Sequence, residues 1–180
     1  MDGFMRNQIN STKERRSDLL RRKSHEFCQA LVTSPENPLN LIQRYFIPEG
    51  AKITEHGPQW CTDRLPFLAK TFREISGDDS CETYFKLLSD TLKMHMTKYT
   101  FPASEAFLVD ADAVVEREDG RTRGAVSVVA QAKFESVKTG KSWEEEFIYK
   151  LSGFDDVGRI GHWEIWADPL SAWVAVTSCA

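Results

Sequence analysis

Between Val126 and Phe134 every second residue is apolar: Val126, Val128, Ala130, Ala132 and Phe134 alternate with a set that includes Ser127, Gln131, Lys133 and, one step on, Glu135. Side chains of a strand point to opposite faces in turn, so this period of two demands a long strand with one face buried and one wet. The next segment repeats the demand. Trp143, Glu145, Phe147, Tyr149 and Leu151 share a face opposite Glu144, Glu146 and Lys150. Two such strands, joined only by Thr139-Gly140-Lys141, are short-looped enough to be a hairpin. Their apolar faces must be covered by something else in the chain.

That cover comes earlier in the sequence. From Lys13 to Val32, Leu20, Phe27 and Leu31 fall close to one helical face, while Arg15, Arg16, Arg21, Arg22 and Lys23 occupy the remainder. The basic cluster fits a solvated helix face, a contact for an acidic partner or a localisation signal. Residues 1–12 are polar, lack periodicity and are expected to form a disordered tail, leaving a single domain over 13–180. Asn37-Pro38 supplies a side-chain cap and a first helical residue with no N–H to satisfy, so a second helix is expected from Pro38 to about Phe46, burying Leu39, Ile42 and Tyr45 or Phe46. A short extended piece, AKITEH, follows, then a turn at His56-Gly57-Pro58 and a helix or turn around Leu65-Pro66-Phe67-Leu68. Asp79 and Glu82 form a capping box for a third helix, with Tyr84, Phe85, Leu88 and Leu92 as its apolar stripe.

No further helix is evident, and the segments 104–116, 124–138, 143–154 and 159–167 are β-like, punctuated by Glu118-Asp119-Gly120, Thr139–Lys141 and Asp155–Gly158. Helices followed by an antiparallel meander give an α+β order: one curved sheet with helices packed on its inner face. The last strand is ambiguous. Ile160, His162, Glu164 and Trp166 alternate with Gly161, Trp163, Ile165 and Ala167, and both sets carry large apolar groups.

Charge and composition narrow the function. In 180 residues, 23 Lys and Arg face 27 Asp and Glu, a formal charge of −4 that disfavours a nucleic-acid partner. No apolar run is long enough to span a membrane, and the N-terminus lacks the apolar core of a signal peptide, so a cytoplasmic protein is expected. Cys28, Cys61, Cys81 and Cys179 lie far apart, as free thiols rather than a zinc or dithiol motif. Asn10-Ser11-Thr12 matches a glycosylation acceptor, a modification that such a location would not allow. Gly140-Lys141-Ser142 ends like a phosphate-binding loop, but Glu135 stands where its first glycine belongs. No G-x-S-x-G is present. His56, His95 and His162 lack the spacing of a helical metal pair, and convergence with Asp110 or Asp112 would be needed for a metal site; none is expected.

Several side chains remain as candidates for chemistry. Glu145 and Tyr149 are polar groups on an apolar strand face; a desolvated Glu145 could carry a proton, or it could reach water near the strand end. His56 is either a turn residue or an imidazole at a pocket mouth, and His162 either an exposed strand residue or a proton carrier. Trp163, Trp166 and Trp173 suit a core or the wall of a pocket for a flat apolar ligand. The catalytic set to test is His56, Glu145, Tyr149 and His162, with Trp60, Phe107, Phe134, Phe147, Trp163 and Trp166 as the ligand-binding set.

The words ITEHGPQW, LPFLAKTF, YFKLLSDTL, TGKSWEEEFIYKLSGFD and GHWEIWADPLSAW, spread over Pro38–Val176, resemble the SnoaL-like branch of the nuclear-transport-factor-two-like superfamily, particularly its fungal members. The resemblance implies a cone: a strongly bent antiparallel sheet around three helices, a cavity at the wide end and homodimerisation through the sheet. It also implies a small apolar ligand and no cofactor. Relatives include cofactor-free isomerases, polyketide cyclases and dehydratases as well as binding domains without chemistry. Their enzymes usually place an Asp, or an Asp and His pair, in the cavity; here Asp110 and Asp112 fall on the strand face opposite Phe107 and Val109, and no counterpart aligns.

Overall fold

The computed structural model describes residues 2–33, 37–114 and 124–177, with side chains from residue 16 onward. The Glu118-Asp119-Gly120 turn and Cys179 lie outside them. Helix α1 runs Asp2–Thr33, so helical backbone extends through the stretch expected to be a disordered tail. Its Leu20, Phe27 and Cys28 are buried, as is Ser24 between them. Arg16, one of the basic residues of this helix, donates at 2.8 Å to the carbonyl of Asp155 and so ties the helix to the loop before the last strand.

Helix α2 (Pro38–Tyr45) begins as its sequence dictates: the Asn37 side chain accepts from the Leu39 amide at 3.0 Å, and Pro38 occupies the first turn. Leu41, Ile42 and Phe46 are buried, whereas Leu39 and Tyr45 are half-buried. Strand β1 (Lys52–His56) and strand β2 (Thr71–Arg73) follow, the latter not foreseen. Helix α3 (Cys81–Thr91) is capped one residue later than expected: Ser80, not Asp79, accepts from the Thr83 amide. Asp79 instead has a φ of 51° and binds Lys70 at 2.7 Å. The apolar stripe is as expected, with Tyr84, Phe85, Leu88 and Leu92 buried.

The remaining strands are β3 (Leu92–His95), β4 (Leu108–Asp110), β5 (Ala125–Ser136), β6 (Ser142–Ser152) and β7 (His162–Trp166). Of the expected strand over 104–116, Leu108–Asp110 forms among the described residues, preceded by a 3-10 turn at Ser104–Ala106. A fourth helix, α4 (Pro169–Val176), follows β7, where three helices were expected. Its start repeats the logic of α2. Asp168 accepts from the amides of Leu170 and Ser171, and Pro169 again takes the first turn.

All seven strands form one sheet in the order β2-β1-β7-β6-β5-β3, with β4 pairing the other end of β5. The meander is antiparallel, but β1 lies parallel to β7, pairing Lys52 with His162 through His56 with Trp166. Where β6 turns back toward β7, Gly153 (φ +64°) and Gly161 cross so closely that a Cβ on Gly161 would stand 2.3 Å from the Gly153 carbonyl oxygen. Only bare backbone fits there.

The two long strands carry their faces as the alternation requires. Val126, Val128, Ala130, Ala132 and Phe134 are buried beside Phe147, Tyr149 and Leu151, and α1, α2 and α3 complete the same core. The ambiguity of β7 resolves with Trp163 and Ile165 inward and His162, Glu164 and Trp166 outward. These features make the chain a mixed α+β cone.

Candidate active site

The inner face of the sheet, α3 and the start of α4 leave a cavity between them. It is bordered by Leu65, Phe67 and Leu68 from the loop after β1, by Tyr84 and Leu88 of α3, by Phe134, Trp143, Phe147, Tyr149, Trp163 and Ile165 of the sheet, and by Ala167–Pro169 and Ala172. Its volume is about 40 Å³. A single water needs ~10–15 Å³ on such a measure, so the space is that of a small guest molecule.

Glu55 is the chemically distinctive group of this wall. Strand alternation puts it on the same face as Ile53, and it is 8% exposed. The Tyr84 hydroxyl, projected from the first turn of α3, donates to its Oε2 at 2.6 Å. Burial pushes the Glu55 carboxyl up to about 7; the Tyr84 hydrogen bond works the other way and the nearby charge of Glu145 adds to the rise. Burial, and then the negative charge of Glu55, drive the Tyr84 hydroxyl well above its ordinary value, so it stays a donor. A carboxyl near 7 beside a permanent donor is poised to take up and release a proton at neutral pH.

Glu145 lies on the same wall, half-buried. Trp143 Nε1 donates to its Oε2 at 2.8 Å, and the Asp168 amide also donates to it. Burial raises its pKa, aided by the charge of Asp168 and opposed by these two hydrogen bonds. Tyr149 is buried between Phe147, at 5.0 Å between ring centroids, and Trp163, at 4.9 Å. Desolvation, with Cys28 and Glu55 nearby, holds its hydroxyl well above its usual value. The Trp163 Nε1–H is buried and has no hydrogen-bond partner among the described residues.

The other sequence candidates divide between cavity and surface. Phe134, Phe147 and Trp163 border the cavity with Glu145 and Tyr149. His56 borders it too, but its ring is stacked on Trp166 at 4.1 Å, and its Nε2 meets Glu164 at 3.1 Å on the outer face. His162 is also outside, 2.9 Å from the Thr54 hydroxyl, and Trp166 is exposed. Burial opposes ionisation of Glu164, but hydrogen bonds from Lys150 and His56 and the proximity of His162 hold its pKa below the ordinary value. Trp60 is 58% exposed and meets Trp173 edge-on at 5.1 Å, away from the cavity. Phe107 is buried against His25 of α1, at 5.5 Å. Among the described residues, no group of three or more His, Cys, Asp or Glu could hold a metal ion.

Glu55 escaped the sequence reading although its signal was present. In AKITEH the only inward neighbours are Ala51 and Ile53, and the polar residues between them hide the alternation.

No family model and no curated protein matches the chain. Solved structures do. An NTF2-like protein from Burkholderia xenovorans LB400 is 10% identical, covers 89% of this chain and 98% of its own, and superposes with a TM-score of 0.62. A protein assigned as an isomerase from Bacillus subtilis is 13% identical over 89% of this chain and 94% of its own, with a TM-score of 0.55. One assigned as a SnoaL-like polyketide cyclase from Jannaschia sp. CCS1 is 12% identical over 89% and 96%, with a TM-score of 0.51. At such identities the likeness is one of architecture, and the fold of this chain is the NTF2-like cone.

Proposed function

We propose that the protein is a cofactor-free enzyme that moves a proton on a small apolar carbonyl compound, as an isomerase, cyclase or dehydratase does. The carrying observation is Glu55: a carboxyl buried in an apolar cavity, 2.6 Å from the Tyr84 hydroxyl and with its pKa near 7. As carboxylate, Glu55 takes a proton from the carbon beside the carbonyl. The C–H bond breaks, an O–H bond forms on Glu55, and the electron pair moves to the carbonyl oxygen as an enolate. Return of a proton to another carbon gives isomerisation; return to the same carbon, after the proton on Glu55 has been replaced from solvent, gives hydrogen exchange. Aromatic walls exclude water and strengthen every charge interaction inside. Tyr149 and Glu145 are a further donor and a further carboxylate on the same wall. His56 and His162 have no part in this reading, because their side chains engage Glu164 and Thr54 on the outer face.

The reading fits the SnoaL-like likeness of the sequence and the isomerase and cyclase assignments of two structural neighbours. It is tested by incubating methyl isobutyl ketone with the protein in deuterated buffer and following loss of the α-proton signal by NMR. Exchange above the buffer rate is expected, and Glu55→Gln should lower it by about 10²-fold or more, the usual weight of a positioned base. Exchange equal in Glu55→Gln and the parent chain would remove Glu55 from the chemistry.

A second reading, a homodimerising binding scaffold without chemistry, is favoured by the outer sheet face. Ser127, Gln131, Lys133 and Glu135 leave it polar along most of β5, but the register aligns Val129, Ile148 and Trp166 in one row across β5, β6 and β7, and all three are exposed. An apolar centre in a polar surround is the anatomy of a protein interface. The buried thiols of Cys28, Cys61 and Cys81 suit a reducing, cytoplasmic setting. Among the described residues no helix is long and apolar enough to cross a membrane.

A further inference from the structure

The charge of the cavity wall is one-sided. Glu55, Glu145 and Asp168 border it, and no Lys or Arg does among the described residues. The donors beside the two glutamates are already committed, Tyr84 to Glu55 and Trp143 to Glu145. An anionic ligand would therefore meet the buried Glu55 and the half-buried Glu145 with no Lys or Arg on the wall to offset them, and His56, the one imidazole that borders the space, is engaged with Glu164.

Two further features, independent of the carboxylates, say what would be welcome instead. Phe67, Tyr84, Phe134, Trp143, Phe147 and Tyr149 surround the space with rings. Phe134 and Trp143 lie nearly parallel, 24° apart at 5.7 Å between centroids. A ring face is the negative pole of the aromatic quadrupole, and it attracts a cation most where water is excluded. The second feature is the indole N–H of Trp163, a residue that is 2% exposed and borders the cavity; that N–H is buried and lacks any partner among the described residues. A buried donor left open is a place for a ligand's acceptor.

We propose that the ligand is a small apolar carbonyl compound bearing a cationic nitrogen. The nitrogen is held by Glu145 and the surrounding rings, and the carbonyl oxygen is taken by the Trp163 N–H. This rests on the proton-transfer reading and adds the substrate class to it. The cation offsets the repulsion between Glu55 and Glu145, which leaves Glu55 the carboxylate free to act as base.

Three compounds of similar size separate the possibilities: acetonyltrimethylammonium, a permanent cation; neopentyl methyl ketone, its neutral isostere; and levulinate, a keto acid anion. Their affinities for the full chain are measured by titration calorimetry at pH 7.5. The cation should bind at least about tenfold more tightly than the ketone, the scale of a desolvated cation–ring contact, and levulinate should not bind. Glu145→Gln should bring cation and ketone within about twofold of each other, with an unchanged midpoint of urea denaturation reporting the intact fold. Equal affinities in the parent chain, or binding of levulinate, would overturn the ligand class. Cation preference without Glu55-dependent exchange of the ketone would keep the ligand class and overturn the proton-transfer reading; exchange without preference would do the reverse. Binding of none of the three would overturn both.

Discussion

A carboxyl at 8% exposure is a costly residue to keep, and Glu55 is held by a short hydrogen bond from Tyr84. Its pKa makes the cost visible in the pH dependence of stability. In the unfolded chain Glu55 titrates near its ordinary value of 4.5, and in the fold near 7. Between these values the folded state binds more protons, so this residue's contribution is fully present below pH ~4.5 and is lost as the pH rises through about 7. The loss is on the order of 3 kcal/mol. Urea denaturation of Glu55→Gln should thus give a stability close to the parent chain at pH 4.5 and higher than it at pH 8. A constant difference across that range would mean Glu55 is not the titrating group. At this scale the sequence is legible where alternation is long. Glu145 and Tyr149 stand out because β6 offers Trp143, Phe147 and Leu151 for comparison; Glu55, in a five-residue strand, has almost nothing beside it to betray its direction.

At the scale of elements, local chemistry explains both the success and the miss. Asn37-Pro38 and Asp168-Pro169 are the same device, a side-chain acceptor followed by a residue without an N–H, and both start helices. The first stands after an obvious break in helical periodicity. The second follows Trp163–Trp166 directly, in a helix only eight residues long whose apolar residues point both ways: Ala172 is buried, Leu170 and Val174 are exposed. Short helices of this kind depend on their caps. Asp168→Ala removes acceptors for the amides of Leu170 and Ser171 and for the Ser171 hydroxyl, and should cost about 1 kcal/mol in urea denaturation. Because residues 167–169 and Ala172 roof the cavity, hydrogen exchange at α4 should quicken more than at α3. Equal protection in both helices would show that α4 is held by packing alone. The strands β2, β3 and β4, of three, four and three residues, are too short for periodicity to register and owe their existence to the neighbours they pair with.

At the scale of the molecule, the cone follows from two strands too long and too one-faced to leave uncovered. Their outer faces bear on assembly. The row of Val129, Ile148 and Trp166 is the proposed contact between two copies, and Ile148→Glu places a charge at its centre. Sedimentation equilibrium should show a dimer for the parent chain and a monomer for the variant, with unchanged urea stability of the monomer unit; a parent chain that sediments as a monomer would remove this interface. The sheet direction was less legible than its faces. Amphipathic pattern tells which side of a strand is buried but not which strand it will lie beside, and the parallel union of β1 with β7 links segments whose paired residues are 110 positions apart, Lys52 to His162.

That union has a temporal consequence. As the chain leaves the ribosome, β1 and β2 emerge while the strand that must lie next to them is not yet made, so Glu55 and Tyr84 wait in a half-built trough until residue 166 is free of the exit tunnel. Closure of a loop of this length is entropically slow compared with hairpin formation, so the joining of β1 to β7, which completes the wall beside Glu55, follows the pairing of β1 with β2 and of β5 with β6.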